Sequence, residues 1–587
     1  MQLRNKLKEK ENYILAFLFV ILGAVIAAVC FDFYYDLNDD SAIKDILSGV
    51  YTGTPDGHNI QMLYGFSVLL ALPYRLLRNV PWFGIFLCGC NFGCFYLIAL
   101  RSLRFCKQRF AKIAMLTIEA IMITALYLWE VVFVQYTVIS GLLAVTAVFL
   151  FYTTDSHVVW KQYVKQNIIS ILLVLISFAV RTEMLLLLFP LICLAGLFKW
   201  AEEEKILQKD NFLKYGTVLG AMLAGMLLLL VSDSMAYRSE EWKSFRSYFD
   251  ERTTVYDFTG IPAYEGNEPF YEAAGIAPEQ KVLLDNYNFG VDERIDSEFM
   301  GKVAEYATEK RALEKPFTTR LKDTLYLYRY RLQNETAKDY PWNLFVIIAY
   351  LLVIVIALTK RNKSYLWKLP LLIGFRSALW FFLLYRERVV DRITHPLLMM
   401  ELVLLLVMVL MECDALPPIL PYSCAFILAV IALAVLPESM TKVQVEYERR
   451  EEVNTAYTAL TEYCGEHPDN YYFFDVFSSV AYSEKMFRDV DNSLSNYDLM
   501  GGWICKSPLY DAKLAQFGLQ TMETALLEEN HAYILCRLDR PEADMLWLKH
   551  YFEIDGRDVE IKMVDDIRVD GKSVFGVYQL DFYGNIM

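Results

Sequence analysis

The sequence lacks the features that mark a soluble enzyme or a nucleic-acid-binding protein. Its 587 residues include 70 acidic and 56 basic side chains, and the net charge of −14 argues against nucleic acid, which needs a basic surface. The phosphate-binding loop, the HExxH motif, the GxSxG nucleophile elbow and the GxGxxG dinucleotide motif are all absent. We also find no internal repeat and no low-complexity tract. Soluble-enzyme chemistry is therefore not indicated.

Cysteines are present, but not in a pattern that builds disulfides or a metal site. The count of eleven is odd, and only Cys464, Cys505 and Cys536 lie in polar sequence, too few and too scattered for a disulfide framework. The run CGCNFGC at 88–94 lies within an apolar segment that has no nearby His or acid. Packing of small residues at a helix interface is therefore favoured over metal binding.

Long apolar runs are abundant, and 56% of all residues are hydrophobic, which is typical of a multi-spanning membrane protein. The first run follows a basic head and has no cleavage site, so it predicts a retained helix with its N-terminus in the cytoplasm. Runs of spanning length predict about eleven transmembrane helices. They lie near 13–31, 81–100, 113–129, 131–152, 167–181, 184–199, 215–232, 341–359, 365–385, 393–411 and 419–437.

Basic stretches predict which loops face the cytoplasm, because Lys and Arg concentrate on that side. These stretches are 101–112, 161–165, 199–214 and 360–368. Their assignment is consistent only if 32–80 lies wholly outside, although 60–78 is itself apolar. We therefore predict that 60–78 is a helix in the outer interface, which its Pro and Arg residues suit better than a span.

Two soluble parts remain, the loop 233–340 and the C-terminal residues 438–587, and both are expected outside. In the second part, YYFFDVF, HAYILCRL, VEIKMVDDIRV and SVFGVYQL alternate with polar helical stretches, which predicts a small α/β domain. The predicted fold class is an all-α polytopic membrane protein, residues 1–437, with an extracytoplasmic C-terminal α/β domain, residues 438–587. The predicted location is the cell membrane.

Acidic residues directly follow the first span in NDDSAIKDILSG. Acid so close to the bilayer is unfavourable unless it is used, which makes Asp39 and Asp40 candidates for catalysis. The alternative is that one of them caps the short helix 41–48, since Asp is a preferred capping residue. Asp56 and His58 follow in YTGTPDGHN as further candidates, although TPDG is also an ordinary turn sequence.

Basic candidates lie at the ends of later spans. Arg181 and Glu183 lie between two apolar helices with almost no loop, either as a functional site or as a structural pair. Four more basic candidates lie at the outer end of two spans, in the stretch LLYRERVVDRITHPLL. They are Arg386, Arg388, Arg392 and His395. Clustered arginines suit a phosphate or pyrophosphate, whereas single ones also extend to lipid headgroups.

Together the two sets predict glycosyl transfer from a lipid phosphate. A carboxylate would deprotonate the acceptor hydroxyl or hold a cation that does so, and arginines would neutralise the leaving phosphate. Asp40 is the preferred base because it lies nearer the first turn of helix 41–48. The sharpest structural test is whether Asp39 or Asp40 lies within about 10 Å of the 386–392 arginines, near enough to flank one substrate.

With this arrangement the chain resembles the GT-C superfamily of integral-membrane glycosyltransferases. In that family the first outer loop carries an acidic motif and two interfacial jaw helices, which correspond here to Asp39-Asp40, to 41–48 and to 60–78. The stretch NDDSAIKDILSGVYTGTPDGHNI is also similar to a group of membrane proteins of Gram-positive bacteria. The resemblance implies a possible Mg or Mn ion at Asp39. One departure is that a second-loop Asp-x-Asp or Glu-x-Asp partner does not stand out.

The leading hypothesis is an inverting glycosyltransferase that moves a sugar from a polyprenyl-phosphate donor to a cell-envelope glycan or glycolipid, among membrane lipids. One alternative is a transporter or flippase of a lipid-linked glycan, which would need the arginines but no outer acid pair, and which usually shows repeat halves. Another is a non-catalytic envelope-assembly protein that binds through its C-terminal domain.

Overall fold

The computed structural model describes residues 2–360, 364–412, 419–488 and 490–585. The first helices are α1 Gln2–Cys30, α2 Asn38–Ser48, α3 Tyr64–Leu76, α4 Trp82–Ser102, α5 Arg109–Val132, α6 Tyr136–Tyr152, α7 Trp160–Gln166, α8 Ile168–Val180, α9 Thr182–Trp200, α10 Lys209–Ala236, α11 Glu240–Thr253 and α12 Glu268–Ala274. The later ones are α13 Pro278–Asp285, α14 Ser297–Glu314, α15 Phe317–Gln333, α16 Trp342–Lys360, α17 Tyr365–Tyr385, α18 Asp391–Glu412, α19 Ile419–Glu466, α20 Val476–Ser479, α21 Pro508–Gln516, α22 Met522–Glu528 and α23 Leu546–Ile554. The strands are β1 Tyr34–Tyr35, β2 Phe133–Val134, β3 Tyr471–Phe474, β4 Tyr497–Leu499, β5 Ala532–Arg537, β6 Arg557–Val569 and β7 Lys572–Asn585.

Eleven helical units account for the eleven predicted apolar runs. Within the described residues, nine helices are long and apolar enough to cross a membrane, namely α1, α4, α5, α9, α10, α16, α17, α18 and α19. The pair α7 and α8 is a tenth candidate, bent by 50° at its break. The eleventh unit, α6, is apolar but has only 17 residues, and it is buried along nearly its whole length among α4, α8, α9 and α18. The predicted polytopic helical fold class is confirmed.

The basic stretches that were predicted to face the cytoplasm lie together at one end of the helix bundle. Polar contacts join them there: Arg109 Nε to Glu11 at 2.8 Å, Lys199 Nζ to the Thr154 carbonyl at 2.6 Å, and Lys368 Nζ to Glu202 at 2.6 Å. Residues 361–363 of the stretch 360–368 lie outside the described residues. Segments 32–80 and 233–340 and the C-terminal sheet lie at the opposite end, which we call the site end.

The apolar segment 60–78 forms α3, a helix of 13 residues that is not among the candidate spans of the described chain. Its start is fixed at the site end by two hydrogen bonds. Leu63 N–H donates to the Ala179 carbonyl at 2.9 Å, and Tyr64 N–H donates to Asp233 Oδ1 at 3.0 Å. A helix this short covers about 20 Å, less than a bilayer core. Its orientation along the membrane plane stays a prediction.

Helix α15 lies within the segment 233–340 but packs along the span α17 instead of extending away from it. Arg320 Nη2 donates to the Tyr385 carbonyl at 2.7 Å, at the end of α17. Deeper along the same helix, the hydroxyl groups of Tyr328 and Ser377 lie 2.7 Å apart. Part of the predicted outer loop therefore reaches the depth of a membrane helix.

The C-terminal residues form the predicted α/β unit around a five-stranded sheet. The strand order is β4-β3-β5-β7-β6, in which β3 pairs in parallel with β4 and β5, while β7 runs antiparallel to β5 and β6. Strands β3, β5, β6 and β7 coincide with the four predicted runs. Helix α19 continues from its span into this unit without a break at position 438.

The loop 233–340 and the C-terminal sheet share one hydrophobic core, although the sequence suggested two separate soluble parts. Trp242 and Phe299 from the loop belong to the same buried cluster as Tyr471 and Phe552 from the C-terminal unit. Ile46 of α2 joins this cluster as well. The outer part of the protein is therefore assembled from three regions that are far apart in sequence.

We expect the site end to lie outside the cell, and α10 offers a matched pair of positions that tests this. Lys209 is the first residue of α10, and Lys243 lies in α11, shortly after the other end of this span; both are exposed. In a background with the exposed Cys30 and Cys193 replaced by Ser, a membrane-impermeant maleimide should label Lys243→Cys but not Lys209→Cys on intact cells. Both should react after permeabilisation. Labelling of Lys209→Cys alone would place the site end in the cytoplasm.

Candidate functional site

Residues 33–36, which lead to Asp39 and Asp40, form hydrogen bonds with other parts of the protein on both sides. Strand β1 pairs in parallel with β2, and on its other side Tyr35 N–H donates to the Glu484 carbonyl at 3.0 Å and Met486 N–H to the Phe33 carbonyl at 2.8 Å. Arg450 of α19 also binds the Asp36 carboxylate at 2.7 Å. The first turn of α2 is therefore positioned by the C-terminal unit as well as by the helix bundle.

Asp40 is fully buried, and its carboxylate serves the backbone. Oδ1 accepts the N–H of Tyr136, the first residue of α6, at 2.8 Å, and Oδ2 accepts the N–H of Leu37 at 3.3 Å. Burial raises the pKa of this carboxyl well above its ordinary value. The choice of Asp40 as the base is corrected here, because an enclosed carboxylate that caps two chain segments has no open oxygen for a substrate.

Asp39 is not enclosed in the way that Asp40 is. Its side chain is half-buried, and it makes no hydrogen bond or ion pair with the residues that the structure describes. It lies in the first turn of α2. Its charge acts directly on Tyr136, Arg181 and Tyr287. Of the two predicted acids, Asp39 is therefore the one available for chemistry.

Arg181 lies between α8 and α9 and faces the same place. Its Nε binds Glu183 at 3.1 Å, and its Nη1 donates to Gln61 Oε1, which also accepts the Tyr136 hydroxyl at 3.1 Å. The Arg181 guanidinium lies 5.5 Å from the centre of the Tyr136 ring. Glu183 is 71% exposed, so this ion pair is weak and leaves Arg181 available to an anion.

The 386–392 arginines differ in what they bind. Arg388 binds Asp257 at 2.8 Å, and Arg386 is exposed beside the rings of Phe258 and Phe382. Arg392 is half-buried and has no hydrogen-bond or ion-pair partner among the described residues, yet its charge acts on Tyr136. Arg388 and Asp39 both act on Tyr287. We call Asp39, Arg181, Arg388 and Arg392 the anion cluster, because each lies within electrostatic range of Tyr136 or Tyr287. The approach of Asp39 to within about 10 Å of the 386–392 arginines stays a prediction.

Three other predicted residues make structural pairs instead. His395 Nδ1 binds Glu130 at 2.7 Å and lies against the Trp342 ring. His58 Nδ1 binds Asp56 at 2.6 Å, and its ring stacks on Trp242 with centroids 5.2 Å apart. His58 and Asp56 thus anchor the first loop to segment 233–340, and neither contacts a residue of the anion cluster.

Sequence reasoning missed Gln61, Tyr136, Asp257 and Tyr287, which complete the surroundings of Asp39. No sequence signal distinguishes these common polar residues, because only the fold brings them together. It also missed a buried ion pair within the spans, Arg376 Nε to Glu401 at 3.0 Å. Here a signal existed, since each is a lone charge within an apolar run.

The Mg or Mn ion at Asp39 stays a prediction. The residues observed around Asp39 do not form a suitable set of ligands for it. Hard cations of this kind prefer several oxygen ligands, and Asp40 turns away from Asp39. The described residues contain no group of three His, Cys, Asp or Glu side chains that could hold a metal ion. We therefore derive no chemical step through a cation.

An apolar cavity of about 270 Å³ lies between the spans and extends from Trp342 to Ser102, which belongs to the basic stretch 101–112. It is bounded by α4, α5, α6, α18 and α19, with Trp342 among its lining residues and Glu119 and Ser102 as its polar ones. Trp342 also touches His395, which lies one helical turn after Arg392. On α18 the lining begins at Met399, about two helical turns after Arg392, and Trp342 links the cavity to His395.

Comparison with known proteins gives one structural similarity. No family model matches the sequence, and no curated protein matches it. The apo crystal structure of ArnT from Cupriavidus metallidurans aligns over 95% of this chain and 97% of its own, with 10% sequence identity and a TM-score of 0.38. A similarity at this level does not establish a shared fold, so the function has to be argued from the site.

Proposed function

We propose that the protein is an integral-membrane glycosyltransferase of the GT-C type that takes its sugar from a polyprenyl-phosphate donor. The observation that carries this proposal is the surroundings of Tyr136, whose N–H is held by Asp40 next to Asp39 and whose ring lies 5.5 Å from the Arg181 guanidinium. Within the described residues, Asp39 and the nearby Arg392 make no hydrogen bond or ion pair. A substrate with an acceptor hydroxyl and a phosphate would supply a partner to the carboxylate and to the guanidinium.

Asp39 is proposed as the general base. Its carboxylate takes the proton from an acceptor hydroxyl, whose oxygen then bonds to the anomeric carbon of the donor sugar. The bond between that carbon and the phosphate oxygen breaks, and the lipid phosphate leaves with the electron pair. Because attack and departure occur on opposite sides of the carbon, the anomeric configuration is inverted.

The arginines are proposed to hold the leaving phosphate. Arg392 and Arg181 would donate hydrogen bonds to its oxygens, and their charges would stabilise the negative charge that develops there. Arg388 is already paired with Asp257, so its share is smaller. The apolar cavity behind Trp342 is proposed to take part of the lipid chain, with the phosphate at the polar end of α18.

The test is sugar transfer by the purified full-length protein. Detergent-solubilised protein is incubated with polyprenyl-phosphate sugars labelled in the sugar and with envelope glycan or glycolipid fractions as acceptors. Transfer of label to an acceptor, with release of lipid phosphate, is the expected result. Movement of intact lipid-linked glycan across proteoliposomes without transfer would instead support the flippase alternative. An absence of both would favour an envelope-assembly protein.

A further inference from the structure

Three aromatic side chains from two parts of the chain meet beside the anion cluster. Tyr256 and Tyr287 come from segment 233–340, with ring centres 4.1 Å apart, and Phe477 follows β3 with its ring 6.3 Å from that of Tyr287. All three side chains are half-buried. The fully buried Phe289 supports them, 5.7 Å from Tyr287.

Tyr287 has an unusual backbone conformation. Its φ is +66°, in the left-handed region, which residues other than Gly, Asn and Asp seldom occupy. A bulky residue remains in that region only where its surroundings force it to, and such residues are frequent at binding and catalytic sites. The residues around Tyr287 must therefore hold it in this conformation.

Neighbouring residues fix the turn firmly against the C-terminal unit. The buried Asn288 donates to Asp475 Oδ1 at 2.7 Å and accepts the Val476 N–H at 3.1 Å, while Gly290 N–H donates to the Met500 carbonyl at 2.8 Å. A β-carbon at Gly501 would lie 1.8 Å from the Tyr287 carbonyl oxygen, so only glycine allows this approach. The residues on both sides of this contact thus hold the Tyr287 turn, and with it the Tyr287 ring, in place.

The Tyr287 ring is presented toward the charges of the site. Arg252 Nη2 donates to the Tyr287 hydroxyl at 3.5 Å, and its guanidinium lies 5.5 Å from the centres of the Tyr256 and Tyr287 rings. Asp39, Asp257 and Arg388 lie within electrostatic range of the same hydroxyl. Binding sites for small molecules commonly combine open aromatic surface with a few polar groups in this way. A sugar ring suits such a surface, because its C–H face packs on an aromatic ring while its hydroxyls bond to carboxylates and guanidinium groups.

We propose that Tyr287, Tyr256 and Phe477 form a sugar-binding platform, on which a pyranose ring packs next to Asp39. This inference rests on the proposed function for its choice of ligand, but it concerns binding and can fail separately. It also gives the C-terminal unit a direct part in the site, since Phe477 belongs to that unit and residues 475, 476 and 500 fix the Tyr287 turn. The ring belongs either to the acceptor or to the donor.

The platform is tested by saturation-transfer NMR on the full-length protein in detergent. The probes are methyl glycosides of glucose, galactose, N-acetylglucosamine and rhamnose. Wild type should transfer saturation to at least one of them, and Tyr287→Gly and Phe477→Ala should weaken that binding by about three- to tenfold. Tyr287→Phe keeps the ring and should bind as wild type does. Tyr326→Ala, at a 70% exposed tyrosine on α15, is the matched control.

Tyr287→Gly suits this test because glycine accepts a positive φ without strain, so folding should survive the loss of the ring. Glycoside binding is measured without a donor and without transfer, which separates a failed platform from a failed transferase. Where transfer is measurable, the KM values of Tyr287→Gly show which substrate carries the bound sugar. A higher KM for the acceptor assigns the sugar ring to the acceptor, and a higher KM for the donor assigns it to the donor. Absence of glycoside binding by wild type, or unchanged binding by Tyr287→Gly, would overturn the proposal.

Discussion

Replacing Asp39 with Asn should lower turnover on the order of a hundredfold or more, which is the usual contribution of a positioned base. Asn keeps the size of the side chain but cannot accept a proton. Stability should not change, because Asp39 makes no hydrogen bond or ion pair with the described residues. The measurement is sugar transfer per folded molecule at saturating donor and acceptor, with the melting temperature of the detergent-solubilised protein recorded alongside.

Asp40→Asn is the matched control, because it makes the same chemical change one residue away. An amide has only one acceptor oxygen, so either Tyr136 N–H or Leu37 N–H loses its partner. An unsatisfied buried group of this kind destabilises by about 1–3 kcal/mol. We expect a lower melting temperature with near-normal transfer per folded molecule. If Asp40→Asn abolishes turnover and Asp39→Asn does not, the roles given to these two acids are reversed.

The helical part of the fold is predictable from sequence because hydropathy and charge act locally. An apolar run of spanning length has one stable arrangement in a bilayer, and basic loops report its sidedness. Residues 60–78 show how far such an argument reaches, since charge alone predicted that this apolar segment, now α3, is not a span. The strand-like runs of the C-terminal unit were recognisable for a similar reason.

The roles of the two acids could not be predicted, because they depend on contacts far along the chain. Neighbouring residues on a helix point about 100° apart, and nothing local decides which of them turns inward. Here the start of α6 decides, since the Tyr136 N–H lies 96 positions away in sequence and takes up Asp40. Asp39 is left free as a consequence.

The same limit applies to the arginines and to the soluble parts. In sequence, Arg386, Arg388 and Arg392 look equivalent, but Asp257 from a distant loop neutralises one of them. The loop 233–340 and the C-terminal sheet read as independent units because each has its own apolar pattern. Their shared core arises only when both fold, as the packing of Phe299 and Phe552 into one cluster shows.

Arg392→Gln should reduce turnover on the order of a hundredfold, as expected for removal of one group that stabilises developing negative charge. Stability should stay near that of wild type, since Arg392 has no hydrogen-bond or ion-pair partner to lose within the described residues. Arg392→Lys keeps the charge but not the bidentate geometry that fits a phosphate, so its activity should lie between that of wild type and that of Arg392→Gln. Transfer assays over a range of donor concentrations measure these effects.

Arg386→Gln provides the control for a surface arginine on the same connection between α17 and α18. Arg386 is exposed beside the rings of Phe258 and Phe382, so its loss should change turnover by less than about threefold. The contrast between the two variants matters more than either value, because a general attraction of basic residues for anionic lipid would weaken both alike. Equal losses would show that the phosphate is held by the whole basic surface, whereas a selective loss at Arg392 ties the leaving group to the position beside Tyr136 and Asp39.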